Sequence, residues 1–263
     1  MPASPTLLVF DSGLGGLTVL REIVRLRPDA RVVYVADDAF FPYGQRSEEA
    51  VIGRVVPLIG ELIAAHAPDL VVIACNTAST MTLAPLRARY KVPFVGTVPA
   101  IKPACAASRT KRVSVLGTSA TVRLEYTRAL IRDFAQACKV TLVGSAHLAA
   151  LAEAALGGRP ISDQQIFAEI APCFVKDGGV RTDAVVLACT HYPLLLDRLK
   201  ALAPWPVDWI DPAPAIARRV ATLLGGAAAP AGSPRDAQLI FTSGRRHPAS
   251  GALLPFFGRP VAA

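Results

Sequence analysis

Two cysteines stand in matching surroundings, 114 residues apart. Cys75 lies in the segment PDLVVIACNTAS (68–79), and Cys189 lies in TDAVVLACTHYP (182–193). Each cysteine follows a short apolar run that predicts a buried strand, and each precedes polar residues that are typical of a helix start. A lone cysteine at such a place is more often a small buried hydrophobe than a catalyst. A matched pair, with polar residues after both members, favours catalysis instead.

Two thiols that face one carbon atom could invert a stereocentre. Inversion removes a proton from one face of the carbon and returns a proton to the opposite face, so it needs two acid/base groups. The ordinary pKa of a cysteine is about 8.5, so one thiol can lose its proton as the base while the other remains the acid. Two similar lobes would place these thiols on opposite walls of one cleft.

Neighbouring residues could assist both thiols. His191 titrates near neutral pH and stands two residues after Cys189, where it could exchange a proton with that thiol. Asp11 ends the first predicted strand and is the candidate partner of Cys75, either as a proton acceptor or as a site for a substrate ammonium group. A carboxylate beside a thiolate would raise the pKa of the thiol. The cysteines without such polar company are expected to be structural, namely Cys105, Cys138 and Cys173.

Short β-branched runs alternate with helix-length amphipathic segments, which predicts an α/β fold with mostly parallel sheets flanked by helices. The clearest helix starts are Ser47, which two glutamates follow, and Ser162, with Gln165 placed for a capping box. Gly178 and Gly179 are expected to end a helix. Strands are predicted at 7–10, 32–36, 70–74, 93–96, 113–116, 140–143, 184–188, 207–210 and 238–242.

The repeated cysteine segment predicts two pseudo-symmetric lobes with the active site in the cleft between them. A fainter repeat pairs LLVFDSG (7–13) with VSVLGTS (113–119) and supports a duplication. The predicted lobes are 1–98 plus 208–263, with Asp11 and Cys75, and 99–207, with Cys189 and His191.

Composition limits the class of protein. Of 263 residues, 52% are hydrophobic, which is enough for an ample core. No stretch approaches the roughly 18 apolar residues of a membrane span, and the start lacks a basic signal-peptide region, so we expect a cytoplasmic protein without membrane contact. The five cysteines, an odd number without a CxxC pair, argue against disulfides. The net charge of +8 is scattered along the chain, which argues against specific nucleic-acid binding and for a field that gathers an acidic substrate.

Several other functions stay open at this point. The glycines of segment 13–15 follow a predicted strand as in dinucleotide-binding loops, but Thr18 stands in place of the third glycine. A thiol hydrolase with Cys189 as nucleophile and His191 as base would leave Cys75 unused. A metal would lack a fourth clustered ligand, and none of the six lysines stands in a motif for pyridoxal phosphate, so neither metal nor cofactor is expected. A basic protein that binds either DNA or a DNA-handling enzyme is the alternative from another class.

Six motifs follow one another along the chain, namely FDSGLGGL (10–17), DDAFFPYGQRS (37–47), CNTAS (75–79), GTSAT (117–121), CTHYP (189–193) and IDPA (210–213). Taken together, they resemble the glutamate racemases of the aspartate/glutamate racemase superfamily. The resemblance covers nearly the whole chain and implies interconversion of L- and D-glutamate without a cofactor, with aspartate or another amino acid as the alternative substrate. It implies that Cys75 takes the α-proton of D-glutamate and Cys189 that of L-glutamate, and that Asp11 and His191 assist. It also implies a homodimer that supplies D-glutamate for peptidoglycan.

The same resemblance implies the residues that bind substrate. One segment departs from the family pattern, because SAHLAALAE (145–153) replaces a Cys-Pro pair and a proline-containing helix start. We expect this departure to change the shape of one cleft wall while Glu153 keeps its place. The implied substrate-binding residues are Ser12, Pro42, Tyr43, Gly44, Asn76, Thr77, Thr118, Thr121, Glu153 and Thr190.

Overall fold

Two parallel sheets flanked by helices form the fold in the computed structural model, which describes residues 4–135, 137–225, 237–245, 250–258 and 261–262. The strands are β1 Thr6–Asp11, β2 Arg31–Ala36, β3 Leu70–Ile73, β4 Phe94–Gly96, β5 Arg112–Thr118, β6 Lys139–Ser145, β7 Lys176–Asp177, β8 Val180–Arg181, β9 Ala184–Ala188, β10 Asp208–Ile210, β11 Ala237–Phe241 and β12 Val261–Ala262. The helices are α1 Leu17–Leu26, α2 Glu48–His66, α3 Asn76–Arg89, α4 Ile101–Ala107, α5 Ser119–Arg123, α6 Glu125–Phe134, α7 Leu148–Leu156, α8 Asp163–Ile170, α9 Leu196–Leu202, α10 Ala213–Leu224 and α11 Ser250–Phe257. Short 3-10 turns lie at Tyr43–Gln45, Ala171–Cys173 and Tyr192–Leu195.

The two sheets repeat one strand order. The first sheet runs β12-β11-β2-β1-β3-β4, the second runs β10-β9-β5-β6, and every pairing within them is parallel. Read from its other edge, the second sheet is β6-β5-β9-β10, which matches the β2-β1-β3-β4 part of the first. The fainter sequence repeat thus corresponds to β1 and β5, and the cysteine repeat corresponds to β3 and β9. The predicted fold class of two pseudo-symmetric α/β lobes is confirmed.

Burial on both faces explains why these segments form parallel strands. In β1, the side chains of Leu7 and Val9 pack with α1 and α10, whereas Leu8 and Phe10 point to the other face and pack with α2 and α3. All four of these side chains are fully buried. A strand covered on both faces needs a continuous apolar run rather than an alternating one, and the sequence supplies such runs.

The structure confirms the two predicted helix starts but not the predicted helix end. The Ser47 side chain accepts a hydrogen bond from Ala50 N–H at 3.2 Å and caps α2, and Ser162 forms the expected capping box with Gln165. The expectation that Gly178 and Gly179 end a helix is wrong. They form the turn between β7 and β8, with φ of 58° and 83°. Glycine suits that turn because it adopts positive φ without steric cost.

The second crossing between the lobes occurs later than predicted. Strand β10 pairs in parallel with β9, which contradicts the assignment of residues 208–210 to the first lobe. Strand β9 would otherwise lie at the edge of the second sheet with unpaired backbone groups, and β10 pairs with them. In the repeated strand order, β10 corresponds to β4 of the first sheet. Helix α10 then packs against α1 of the first lobe. We therefore place the boundary at Asp211, whereas the first boundary, between residues 98 and 99, stays a prediction.

A buried carboxylate ties the first lobe together beside the cleft. Asp37 directly follows β2 and is fully buried. It accepts hydrogen bonds from Arg54 of α2 at 2.7 and 3.1 Å, from the Tyr43 hydroxyl at 2.6 Å and from the Thr242 hydroxyl at 2.5 Å. Burial alone would raise the pKa of Asp37, but these hydrogen bonds outweigh it and hold the pKa below its usual range. Asp37 thereby fixes the turn that carries Tyr43.

We expect Asp37→Asn to lower the free energy of unfolding by about 2 kcal/mol at neutral pH, because hydrogen bonds to a charged group are lost. The depressed pKa means that the carboxylate stabilises the fold fully above its unfolded-state pKa of about 3.9 and loses that effect as the pH falls through the folded-state value. The difference in the free energy of unfolding between the parent and Asp37→Asn should therefore become smaller at acidic pH. Urea unfolding followed by circular dichroism between neutral pH and about pH 3 measures it.

The matched control is Asp197→Asn at an exposed position of α9, where we expect little change at any pH. A stability loss in Asp37→Asn that stays constant across the whole pH range would contradict the assignment of the effect to the charge of Asp37.

Candidate active site

One cleft at the carboxyl edges of both sheets contains the two matched cysteines. Cys75 follows β3 and comes from the first lobe, whereas Cys189 follows β9 and comes from the second. The cleft encloses about 440 Å³ with its open mouth. The predicted site residues that line it are Cys75, Cys189, His191, Ser12, Pro42, Tyr43, Gly44, Asn76, Thr77 and Thr118.

The Cys75 sulfur lies at the start of α3. It accepts a hydrogen bond from Ala78 N–H at 3.5 Å, and its thiol donates to the Ser12 hydroxyl at 3.6 Å. Burial raises the pKa of the Cys75 thiol well above its usual range, and the carboxylate of Asp11 raises it further. Cys75 is therefore a protonated thiol at neutral pH, which is the form that can donate a proton.

Asp11 lies behind Ser12 and does not form part of the cleft wall. It is fully buried, and its oxygens accept backbone N–H groups of Ser12 at 2.8 Å and Gly16 at 2.6 Å. Burial raises the pKa of Asp11, although the charge of His191 opposes this. The charge of Asp11 acts on Cys75. Its role as a proton acceptor or as a site for a substrate ammonium group stays a prediction, and its side chain is fully buried behind the cleft wall.

His191 links Cys189 to a carboxylate of the same lobe. Its Nδ1 lies 3.9 Å from the Cys189 sulfur, and its Nε2 lies 2.8 Å from Glu153 Oε1. Burial alone would lower the pKa of His191, but hydrogen bonds with Cys189 and Glu153 outweigh it and raise the pKa well above its ordinary value. The raised pKa favours the charged form of His191, and a positive charge there would stabilise a negative charge on the neighbouring sulfur.

The glycine-rich loop of the first lobe closes over this pair. Leu14 N–H donates to Glu153 Oε1 at 2.6 Å, and Gly15 N–H lies 3.2 Å from His191 Nε2. A Cβ atom on Gly15 would lie 2.2 Å from His191 Nδ1, so only glycine allows the backbone to come this close. Glu153, which the resemblance assigned to substrate, thus contacts His191 and this loop from behind the cleft wall.

Hydroxyl and amide groups cover the opposite part of the cleft. The hydroxyl groups of Thr77, Thr118 and Thr121 lie 2.9 to 3.2 Å from one another, with Thr121 behind the wall. Both polar atoms of the Asn76 side chain, which lines the cleft, and the hydroxyl of Thr190, which lies just outside the lining, are buried and have no hydrogen-bond partner among the described residues. Buried polar atoms without partners are costly, so these are groups that a polar ligand would satisfy.

Several residues of the cleft wall were not predicted. Phe41 and Gln45 flank the Pro42–Gly44 motif, so their positions beside it could have identified them. Ser145, Ala146 and Ala149 come from the segment that departs from the family pattern, and they do form one wall. The Ser145 hydroxyl accepts Leu148 N–H at 3.0 Å and also bonds the Glu169 carboxylate, so it holds the start of α7 in place.

The cleft gives little support to a metal or a dinucleotide. Among the residues with described positions, no group of three or more His, Cys, Asp or Glu side chains is arranged to hold a metal ion. The glycine-rich loop, which would contact a pyrophosphate, is covered by Glu153 and His191 and lies beside the buried Asp11 carboxylate.

Comparison with protein families and relatives identifies the same class as the motifs. Residues 12–220 match the family model of Asp/Glu/Hydantoin racemases. The glutamate racemase of Brucella ovis is 58% identical over 230 residues, which cover 85% of this chain and 83% of that protein. The glutamate racemase of Brucella anthropi is 59% identical over 223 residues, which cover 84% and 80%.

Solved structures agree over almost the full length. The crystal structure of Escherichia coli glutamate racemase, in complex with L-glutamate and the activator UDP-MurNAc-ala, matches with a TM-score of 0.84 and 39% identity over 98% of this chain and 97% of that one. The glutamate racemase isoform RacE1 of Bacillus anthracis matches with a TM-score of 0.82 and 28% identity over 99% and 97%. The chain therefore belongs to the Asp/Glu/Hydantoin racemase family and, within it, to the glutamate racemases.

Proposed function

We propose that this protein interconverts L- and D-glutamate by moving protons at Cα between Cys75 and Cys189, without a cofactor. The observation that carries the proposal is the meeting of these cysteines in one cleft, one from each half of a duplicated fold. Each cysteine packs at the border of the apolar core of its own lobe. Both nevertheless line the shared cleft, beside the hydroxyl group of Ser12, the amide of Asn76 and the imidazole of His191.

The protonation of the two sides suits this reaction. With L-glutamate, the Cys189 thiolate takes the α-proton, and the electron pair of the broken Cα–H bond stays at Cα. The Cys75 thiol then gives a proton to the opposite face of Cα. The His191 imidazolium stabilises the thiolate before this step. The raised pKa of Cys75 keeps its proton in place until the carbanion forms. D-glutamate follows the reverse path, which begins from the opposite distribution of protons between the thiols.

The polar wall fits a substrate with two carboxylates. Asn76, Thr190 and the cluster that contains Thr77 offer hydrogen-bond donors in a buried setting, where a bond to a charged group has its largest value. Glutamate is the ligand named for the Escherichia coli relative, and it has a carboxylate at each end. The net charge of +8 also favours the approach of an acidic amino acid.

We further propose a homodimer that supplies D-glutamate for peptidoglycan in the cytoplasm, as the family resemblance implies. No helix within the described part of the chain is long and apolar enough to cross a membrane. Sedimentation equilibrium tests the dimer. Salt-dependent retention on DNA would instead support the alternative role as a DNA-binding protein.

Replacing either thiol should abolish racemisation. In heavy water, L-glutamate should become D-glutamate with deuterium at Cα, and Cys75→Ala or Cys189→Ala should reduce this rate by about a thousandfold or more, because each variant lacks one of the two acid/base groups. Any remaining exchange of the α-hydrogen should be confined to L-glutamate in Cys75→Ala and to D-glutamate in Cys189→Ala. Chiral chromatography with mass spectrometry measures both quantities.

Cys105→Ala is the matched control for this test, because Cys105 is also a buried cysteine but lies outside the cleft wall. Its racemisation rate should equal that of the parent. Racemisation that survives in Cys75→Ala would be incompatible with two-thiol transfer and would favour a mechanism that uses Cys189 alone.

Thr77→Val should weaken substrate binding more than catalysis. The loss of a hydrogen bond to a substrate carboxylate should raise KM for L-glutamate about tenfold with a smaller change in kcat. Thr80→Val is the control on the same helix, because the Thr80 hydroxyl donates to the backbone carbonyls of Asn76 and Thr77. A drop in kcat at constant KM would place Thr77 in the chemical step rather than in binding.

A further inference from the structure

An aromatic ring of the first lobe faces the imidazole of the second across the cleft. The ring centroids of Phe41 and His191 lie 5.5 Å apart, with 40° between the planes. Phe41 belongs to the segment between β2 and the 3-10 turn that begins at Tyr43, whereas His191 follows β9. The contact therefore joins the two lobes at the cleft, and both residues line it.

The surroundings of His191 leave it one orientation. Its ring nitrogens face Cys189 and Glu153, the backbone of Gly15 packs against the ring, and Phe41 covers another side. At Gly13, a Cβ atom would lie 2.3 Å from Glu153 Oε1 and within 3.3 Å of both the Phe41 ring and His191 Nε2, so this glycine also allows the loop to pack closely here. Only 2% of His191 is exposed, so water contributes little to the solvation of its charge.

A cation 5.5 Å from the centre of an aromatic ring lies within the range of the attraction between a positive charge and the ring electrons. The electron-rich ring attracts a positive charge within about 6 Å, and the attraction is largest where water is excluded. The charged or titratable groups that act on His191 are Cys189 and Glu153 of the second lobe and Asp11 of the first. Phe41 differs from these groups because its attraction for the imidazolium does not change with pH.

We infer that Phe41 is a positioning residue that holds His191 in its charged form and its orientation, so that the first lobe completes the acid/base unit of Cys189. The inference rests on the proposed function for its catalytic meaning. On the Cys75 side, Asp11, Ser12 and Ala78 all belong to the first lobe. The Cys189 side is different, because Phe41 reaches His191 from the opposite lobe. The state of His191 thus depends on the contact between the lobes.

The test is a titration of His191 in the free protein. Long-range 1H–15N spectra of the full chain report the ionisation of each histidine, and His191→Asn identifies the resonance of His191 by its absence. In Phe41→Leu, which removes the ring but keeps an apolar side chain, we expect His191 to lose its proton roughly one pH unit lower than in the parent. Phe41→Tyr, which restores a ring, should titrate like the parent.

Racemisation gives the second readout. The pKa of His191 is raised in the folded protein, so the imidazolium is lost as the pH rises. The high-pH limb of kcat/KM should therefore move to lower pH in Phe41→Leu, by the same interval as in the spectra, and return in Phe41→Tyr. Phe174→Leu is the matched control, because the half-buried Phe174 ring also has an aromatic neighbour at 5.5 Å, namely Trp205, and lies outside the cleft wall.

The outcomes separate the inference from the proposed function. If His191 titrates at the same pH in the parent and in Phe41→Leu, the inference is overturned, whatever the activity. If the titration shifts but the parent does not racemise glutamate, the positioning of His191 by Phe41 stands and the proposed function fails. Phe41→Met keeps a similar side-chain volume and allows the same comparison if Phe41→Leu does not fold.

Discussion

The site depends on the contact between the carboxyl edges of two parallel sheets. Each edge carries backbone and side-chain groups that require hydrogen-bond partners. Some of these groups form hydrogen bonds with the edge of the other sheet. The Thr18 hydroxyl of the first lobe donates to the Thr190 carbonyl of the second at 3.0 Å, and the Thr77 hydroxyl meets Thr118 at 3.1 Å. The two thiols between these contacts are almost fully shielded from water, with Cys75 5% and Cys189 6% exposed. The thiols consequently lie in a region where charge is costly and each neighbouring charge has a strong effect.

That exclusion of water has opposite consequences for the two thiols. Burial by itself favours the neutral form of any cysteine, so two identical environments would hold both thiols protonated and neither could act as a base. The charged groups next to the two sulfurs differ in sign. Asp11, a carboxylate, acts on Cys75, whereas His191, a cation held by Glu153, lies beside Cys189. The fold is thus repeated in its geometry but not in its electrostatics.

The parts of this arrangement that were predictable from sequence are those with a local signal. Apolar runs located every strand of both sheets except the two-residue strand β12, and the repeated segment was sufficient to pair Cys75 with Cys189. Contacts between residues far apart in sequence carry no such signal. The approach of Gly15 to His191 joins positions 176 residues apart, and nothing in either motif indicates that distance. The position of Asp11 behind Ser12, outside the cleft wall, was unpredictable for the same reason. It depends on hydrogen bonds to backbone N–H groups, and these depend on the path of the loop.

The unequal surroundings of the thiols are compatible with a reaction whose equilibrium is symmetric. Two enantiomers have equal free energies in water, so any variant of a racemase must show the same kcat/KM in both directions. A stronger cation beside Cys189 therefore cannot favour one product. It can only change which enantiomer finds the thiols in the protonation state that reacts with it. It thereby changes the separate values of KM and kcat in each direction, but kcat/KM stays equal between the two directions. Duplication supplies the mirror-like placement that inversion requires. The differences between the two lobes then decide whether Cys75 or Cys189 carries the transferable proton between turnovers. Because the equilibrium does not constrain this choice, the state of His191 can depend on residues from both lobes.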